Sequence, residues 1–284
     1  MTEVESTQAV PQDTYRAPRD EGEYDRLRLQ HDMVKDVMGG KLLLSPVDLS
    51  APNLQVLDSG TAKAHWVIDL ARSLSSESRV VGTDIAPQHF PPESQRPGNV
   101  TLTTHSIFEN WPLDYINAFD VVHQRFVLAA CPDEQVAAES VARLYACVKP
   151  GGWIELHEGN MLIIREGPEH AAFMRFRDMM VKSWALIKQQ PAPGLQIGKW
   201  LREAGATDIQ ETTQVIKVGA EAESKAEGER AMGVLFQMLD GMKAMLGGHF
   251  TKAEFDELRR DLEVELSTVG NFWQYHLAYG RKPL

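Results

Sequence analysis

An acidic, glycine-containing turn follows the first predicted strand of the chain. In the stretch VLDSGTAKAHW, residues 56–66, the strand ends at Asp58 and a helix begins soon after Gly60. Glycine adopts backbone angles that other residues avoid, so the chain can turn sharply here. The free N–H groups at the start of the helix can bind a carboxylate or a phosphate. The turn is compatible with a nucleotide-type site or with an ordinary turn, because Ala62 and Ala64 replace the further glycines of a glycine-rich loop.

Polar side chains also stand at the ends of the next predicted strands. Asp84 ends the second strand, 24 residues after Gly60. This spacing is close to the offset of about 20 residues at which a carboxylate accepts hydrogen bonds from ribose hydroxyls. Further strand-end residues are Ser106 and Ile107 after the third strand and His123, Gln124 and Arg125 after the fourth. In a doubly wound sheet, ligands bind outside the carboxyl ends of the strands, where the strand order reverses. These residues therefore predict one shared site.

The elements that must position these residues alternate between strand and helix. The predicted strands are LQVLD (54–58), RVVGTD (79–84), NVTLTTH (99–105), FDVVHQ (119–124) and WIELHE (153–158), the last preceded by a KPGG turn. A helix with one apolar face is predicted over about 133–148. Short apolar strands that alternate with helices indicate a parallel sheet covered on both faces.

The chain beyond residue 160 is richer in helices. We expect helices at 23–38, 168–189 and 229–246, a short one before Gly205, and another that opens with a T-x-x-E capping box at Thr251. Strands are expected at 208–219 and in the closing segment FWQYHLAYGRKP. The aromatic and methionine side chains of these helices are compatible with core packing, with the face of a homodimer, or with a lid over an apolar cavity.

The ordered motifs resemble those of class I S-adenosylmethionine-dependent methyltransferases over about residues 23–284. They are most similar to fungal secondary-metabolite methyltransferases, which include N-methyltransferases of gliotoxin-type diketopiperazine pathways and methyltransferase-like regulators of secondary metabolism. The resemblance rests on EYDRLRLQH (23–31), FDVVHQRF (119–126), VKPGGWIELHE (148–158) and YGRKP (279–283). It implies an α/β fold, a doubly wound, mostly parallel seven-stranded sheet of the Rossmann-like type with a helical cap.

The same resemblance implies a domain organisation. It predicts a single methyltransferase domain at 21–284, and the polar, proline-containing and aperiodic residues 1–20 separately predict a disordered tail. The expected parts of that domain are an N-terminal lid helix (23–45), a cofactor-binding core (54–160), cap insertions (165–190 and 222–266), and a closing helix and strands (195–219 and 271–284).

The resemblance assigns S-adenosyl-L-methionine as cofactor and places it at the strand ends. The implied contacts are Asp58, Ser59, Gly60, Thr61, Asp84, Ile85, Ser106, Ile107, His123, Gln124 and Arg125. The first four match the loop around the methionine part, and Asp84 matches the acid that binds the ribose. Ser106 stands where the family often has Asp, so its contact with the adenine amino group is expected to be weaker.

Methyl transfer requires few catalytic groups, since positioning and exclusion of water carry most of the catalysis. A base is needed only where the acceptor must lose a proton. The candidates are His123, His157 and Glu158 at the ends of the fourth and fifth strands. Each also has a structural interpretation: His123 as a hydrogen-bond partner of a neighbouring loop, and Glu158 as a helix cap. Candidate substrate-binding residues in the lid are Tyr24, Met33, Trp184 and Met238.

The composition limits the kinds of binding partner and the cellular compartment that we expect for this protein. A net charge of −11 argues against a nucleic-acid or anionic-membrane surface. No apolar run reaches about 18 residues and no signal-peptide region follows Met1, so we expect a cytoplasmic protein. Only Cys131 and Cys147 are present, which favours a reduced intracellular setting. No spacing typical of a metal site is found.

The sequence therefore predicts an enzyme that methylates nitrogen or oxygen of a small, largely apolar secondary metabolite. The two alternatives are a methyltransferase-like regulatory protein and a cyclase or isomerase built on the same scaffold.

Overall fold

The computed structural model describes residues 21–246 and 248–284, so the predicted tail at 1–20 lies outside the described residues. Within these ranges the strands are β1 Gln55–Ser59, β2 Arg79–Asp84, β3 Val100–Thr104, β4 Phe119–Arg125, β5 Val148–Asn160, β6 Thr207–Val218 and β7 Asn271–Arg281. The α-helices are α1 Glu21–Val37, α2 His65–Ala71, α3 Glu134–Ala146, α4 Ala171–Leu186, α5 Ile197–Glu203, α6 Lys225–Leu246 and α7 Lys252–Thr268. None of these helices is long and apolar enough to cross a membrane.

The seven strands form one sheet in the order β3-β2-β1-β4-β5-β7-β6. The first five pair in parallel, and β7 runs antiparallel to both β5 and β6. The predicted doubly wound, mostly parallel seven-stranded sheet is confirmed. The strand order reverses between β1 and β4, which places a crevice at their carboxyl ends.

Helices cover both faces of the parallel part of the sheet. On one face Trp66, Val67 and Leu70 of α2 pack with Val56 and Val80 of the strands. A second cluster joins α3 and α5 to the sheet through side chains that include Val141, Leu144, Ile154, Trp200 and Leu201. Each fully buried side chain of this size contributes roughly 1.5–3 kcal/mol. This core fixes the strand ends, and with them the crevice.

A third apolar cluster joins α1, α4, α6 and α7 to strands β6 and β7. Its buried members include Met33, Phe173, Leu235, Phe255 and Tyr275. The helix α1 therefore packs on the helical layer, and α1 also provides side chains at the carboxyl edge of the sheet. The division of the domain into lid, core and cap insertions stays a prediction.

Two predicted boundaries differ from the structure. Strand β5 begins at Val148, before the predicted turn, because Val148 already pairs with Phe119, and the KPGG segment lies in the irregularity before Trp153 pairs with Val121. The helix predicted at 168–189 is shorter, since residues 168–170 form a 3-10 turn ahead of α4. The capping box of Thr251 and Glu254 is present at the start of α7.

Candidate functional site

The turn after β1 has a glycine-like conformation at three residues. The φ angles are 74° at Gly60, 45° at Ala62 and 61° at Ala64. Only Gly60 adopts this left-handed conformation without steric cost, because alanine's Cβ crowds the following carbonyl. A Cβ atom at Gly60 would lie 2.3 Å from Val127 Cγ2, so the turn also packs tightly against the segment after β4. The loop thus keeps the backbone shape of a glycine-rich turn where two of its glycines are alanine.

The carboxylate of Asp84 holds this turn in place. Its Oδ2 accepts a hydrogen bond from the backbone N–H of Ala62 at 2.8 Å, and its Oδ1 accepts one from Ala86 at 2.9 Å. Burial raises the pKa of Asp84, while the two N–H donors lower it. The end of β2 and the turn after β1 are therefore one connected unit.

A buried acid–imidazole pair lies beneath the turn. Asp58 Oδ1 and His123 Nδ1 are 2.7 Å apart, and the His123 ring stacks on Trp66 with centroids 3.9 Å apart. Burial raises the pKa of Asp58 to about 7, and it lowers the pKa of His123 well below its usual value. The stacking and the bond to Asp58 fix the imidazole and leave its buried Nε2 without a partner among the described residues.

Arg125 ends β4 and contacts helix α1. Its Nη2 donates to His31 Nδ1 at 3.1 Å, and His31 Nε2 lies 3.3 Å from Asp69 Oδ2. Because a guanidinium only donates, His31 accepts at Nδ1 and carries its proton at Nε2, which donates to Asp69. Burial and the adjacent guanidinium lower the pKa of His31 to about 4, which matches this neutral form. Arg125 has no carboxylate within 4.0 Å in the described part of the chain.

The two buried glutamates of β5 accept hydrogen bonds from the backbone of neighbouring loops. Glu155 accepts backbone N–H groups of Leu44 and Ser45 and bonds His157 Nε2 at 2.9 Å. Burial pushes the pKa of Glu155 upward, but these donors bring it below its ordinary value. Glu158 Oε1 accepts the N–H groups of Val127 and Leu128 at 2.7 and 2.6 Å. Burial raises the pKa of Glu158 to about 7, against the effect of these backbone bonds.

A cavity of about 290 Å³ opens at the carboxyl edge of the sheet. We call its strand-end side the sheet wall, formed by Gly60, Asp84, Ile85, Ser106, Ile107 and Arg125. The opposite side, which we call the cap wall, comes from α4, α6 and the residues just after α4: Met180, Trp184, Ile187, Gln237, Met238, Gly241, Met242 and Met245. The sheet wall carries charged and hydroxyl groups, whereas the cap wall is almost entirely apolar.

A smaller cavity of about 60 Å³ adjoins the first. Both are lined by Leu27, Gln30, Gly60, Ala62, Arg125 and Phe126, so they meet between α1 and the turn after β1. The smaller cavity is polar, with Asp58, Thr61 and His123 in its lining. Thr61 Oγ1 and His123 Nε2 are both buried, and His123 Nε2 has no partner in residues 21–246 and 248–284. Such atoms are suited to a polar ligand group.

Most of the predicted cofactor residues lie at these two cavities. Gly60, Asp84, Ile85, Ser106, Ile107 and Arg125 form the sheet wall, and Asp58, Thr61 and His123 line the smaller cavity. Ser59 and Gln124 lie in neither lining. They face each other in the β1–β4 register, and Gln124 Nε2 donates to Ser59 Oγ at 3.0 Å. This bond is internal to the sheet, so the structure gives both residues a supporting position.

Some of the predicted catalytic and substrate-binding residues also line a cavity, and others line neither cavity. Trp184 and Met238 lie in the cap wall, but Tyr24 and Met33 line neither cavity. Met33 is buried in the third cluster because α1 packs on α6, and the Tyr24 ring lies beneath Lys63 Nζ at 3.6 Å. His157 and Glu158 are fully buried and line neither of these two cavities, and their role as a base stays a prediction.

The residues at the site that the sequence did not assign to it include two polar ones, His31 and Gln237. His31 was present in the EYDRLRLQH motif, yet only its contact with Arg125 shows what it does. Gln237 lies in a helix among apolar residues and belongs to no motif. The part of the chain that the structure describes contains no cluster of three or more His, Cys, Asp or Glu side chains that could hold a metal ion.

Comparison with known proteins gives consistent matches. Residues 29–211 match a family described as a methyltransferase domain. The chain is 50% identical over 268 residues to N-methyltransferase tcpN of Claviceps purpurea, a match that covers 93% of this chain and 95% of tcpN. It is 33% identical over 287 residues to N-methyltransferase sirN of Leptosphaeria maculans, which covers 98% of both chains.

The fold also matches a solved structure. A putative methyltransferase of Bacillus halodurans C-125 superposes with a TM-score of 0.51 at 18% identity, over 92% of this chain and 100% of that one. At this level of identity the match supports the fold alone.

Proposed function

The chain belongs to the methyltransferase-domain family, and we propose that it methylates a nitrogen atom of a small, largely apolar molecule. Its similarity to the fungal N-methyltransferases extends over nearly the whole chain, and the resemblance inferred from its motifs is confirmed. The reaction is S-adenosylmethionine-dependent methyl transfer. The choice of nitrogen follows from the names of these relatives, and the size and polarity of the acceptor follow from the cavity.

The two cavities fit S-adenosylmethionine. The smaller one offers the hydroxyl of Thr61 and the unpartnered Nε2 of His123, which suit the polar amino-acid end of the cofactor. Arg125 borders both cavities and supplies a cation that can pair with its carboxylate. In the sheet wall, Asp84 would hold the ribose hydroxyls, and Ile85 and Ile107 offer apolar surface to the adenine.

The apolar lining of the cap wall supports the proposal that the acceptor is a largely apolar molecule. Four methionines, Trp184 and Ile187 line it, and methionine is flexible enough to fill the gaps around an irregular apolar ligand. The cap wall faces the same 290 Å³ cavity as the sheet wall. An acceptor held there would lie beside the cofactor residues and away from water.

The chain's own residues contribute positioning more than proton transfer. Bound S-adenosylmethionine supplies an electrophilic methyl group, so orientation and exclusion of water carry the catalysis. Glu158 fixes the backbone at Val127 and Leu128, next to Phe126 in both linings. A base role for His123, His157 or Glu158 stays a prediction. Of the three, His123 alone lines a cavity, and any proton it accepted would go to Nε2.

The proposal is tested with S-adenosylmethionine that carries a ¹³C-labelled methyl group. The purified protein is incubated with a panel of small apolar amines, amides and phenols, and the products are examined by NMR, which distinguishes N-methyl from O-methyl carbons. We expect label on nitrogen. As a control, Trp184→Ala in the cap wall should slow turnover while the calorimetric affinity for S-adenosylhomocysteine stays unchanged.

Other outcomes would contradict the proposal in distinct ways. Label on oxygen alone would contradict the choice of nitrogen. Conversion without label would favour cyclase or isomerase chemistry, and cofactor binding without any turnover would favour a regulatory protein.

A further inference from the structure

One polar side chain interrupts the cap wall. Gln237 lies near the middle of α6 and lines the cavity together with Met238 and Gly241. Its Oε1 atom is buried, and no described residue donates a hydrogen bond to it. The other side chains of the cap wall are Met, Trp and Ile. Among them only the indole N–H of Trp184 could donate a hydrogen bond to a carbonyl oxygen.

A buried carbonyl oxygen without a partner is unfavourable in a folded protein. Burying an amide in apolar surroundings has a free-energy cost unless the amide is hydrogen-bonded, and most buried polar atoms in native structures have a partner. A methionine or leucine at this position would avoid that cost and would suit the rest of the wall. The carboxamide of Gln237 is therefore suited to a partner that enters the cavity.

We propose that Gln237 is a specificity-determining residue of the acceptor site, whose Oε1 accepts a hydrogen bond from an N–H group of the bound molecule. This inference rests on the proposed function, since it takes the cavity as the acceptor site. Gln237 orients the acceptor through the hydrogen bond and makes no covalent contribution to the reaction.

The chemistry predicts a preference among ligands of equal shape. A molecule with an N–H group satisfies Oε1, whereas the same molecule without the donor leaves that oxygen desolvated and unpaired. Sites that hydrogen-bond a ligand group discriminate strongly against analogues that lack the group. Apolar contacts with the methionines act equally on both molecules, so the difference between them reports on Gln237.

Indole and benzofuran provide the matched pair. They have the same bicyclic shape, and benzofuran has an oxygen where indole has its N–H group. Binding of each is measured by NMR titration to the full chain saturated with S-adenosylhomocysteine. We expect the wild type to bind indole about tenfold more tightly than benzofuran. In Gln237→Met, which keeps a side chain of similar length, the preference should fall below about twofold.

A neighbouring variant supplies the control. Met238→Leu alters the same helix and the same wall without a hydrogen-bonding group, and it should keep the tenfold preference. A wild type that binds neither compound, a wild type without preference, or a preference unchanged in Gln237→Met would each overturn the inference. Calorimetry with S-adenosylhomocysteine on the same samples distinguishes a failure of this inference from a failure of the proposed function. If the wild type does not bind S-adenosylhomocysteine, the proposed function is contradicted.

Discussion

The two walls of the larger cavity are built from different kinds of element. The sheet wall consists of residues at the ends of parallel strands, and its polar groups are held by the backbone, as Asp84 is by Ala62 and Ala86. The cap wall consists of side chains on α4 and α6, and it is apolar except at Gln237. The contrast agrees with the proposal that the polar sheet wall binds the cofactor and the apolar, adaptable cap wall binds the acceptor.

The largest expected effect is in the sheet wall, at Asp84. Replacing Asp84 by Ala removes the proposed acceptor of the ribose hydroxyls and also removes the hydrogen bond that holds the turn at Ala62. Hydrogen bonds to a charged group are worth about 1.5–3 kcal/mol each, so we expect S-adenosylmethionine to bind about 100-fold more weakly. Isothermal titration calorimetry measures the change.

Two controls separate this effect from charge and from cavity shape. Asp114→Ala removes the same charge from an exposed position, and Met238→Ala changes the cap wall. Both should keep the cofactor affinity within about twofold of wild type. A similar loss in Met238→Ala would show that the two walls are not separate in function.

Arg125 should give the next largest effect. In Arg125→Met the cofactor's carboxylate would lose its proposed cationic partner, and we expect about 30-fold weaker binding of S-adenosylmethionine. Decarboxylated S-adenosylmethionine lacks that group, so its affinity should change by less than about threefold. Calorimetry on both compounds gives the comparison, and Arg202→Met, an exposed arginine paired with Glu211, is the control. Equal losses for the two compounds would contradict the assignment.

The sequence predicted that the residues of the sheet wall lie at one edge of the sheet, for a physical reason. Strand ends converge at one edge of a parallel sheet, so Asp84 and Arg125 could be assigned to one site from strand positions alone. The motif did not distinguish residues that reach a cavity from those that bond within the sheet. Ser59 and Gln124 illustrate this, because their mutual bond depends on the register of β1 and β4.

The cap wall was much less predictable. The helical pattern of α6 marks Met232, Leu235, Leu239, Met242 and Leu246 as one apolar face, and all five are buried. Met242 nonetheless lines the cavity, and so does Gln237, which lies outside that pattern. An amphipathic pattern identifies what is turned away from water, but it cannot tell a core from a cavity wall.

The next prediction concerns the pH dependence of stability at Glu158, which holds the backbone of Val127 and Leu128 beside the cavity. Its folded-state pKa of about 7 exceeds the ordinary value of 4.5. Below both values the acid is protonated in either state, but between them the unfolded chain releases its proton first, so stability falls as the pH rises. Relative to Glu158→Gln, wild type should therefore lose about 3 kcal/mol of unfolding free energy between pH 4.5 and pH 7.5.

Urea denaturation at several pH values measures this difference, and Glu109→Gln, at an exposed position, should leave the pH dependence unchanged. A parallel pH dependence of wild type and Glu158→Gln would show that Glu158 titrates normally.

The smallest expected effect concerns the two alanines of the turn in the sheet wall. Ala62 and Ala64 both have positive φ angles, where alanine is strained by roughly 1–2 kcal/mol. Glycine relieves that strain but lowers stability by about 0.4–1 kcal/mol through the greater freedom of the unfolded chain. For the partly exposed Ala62, Ala62→Gly should therefore stabilise the protein by about 0.5 kcal/mol.

Ala64 provides the opposite case within the same turn. Its Cβ is fully buried in the cluster around α2, so Ala64→Gly also removes a buried methyl group worth about 0.8 kcal/mol. The gain should vanish or become a small loss, while both variants keep their affinity for S-adenosylmethionine within about twofold, because the bond from residue 62 to Asp84 uses only the backbone N–H. Chemical denaturation of the two variants side by side measures the sign. If Ala62→Gly were less stable than Ala64→Gly, this would contradict the inference that the alanines of this turn are strained.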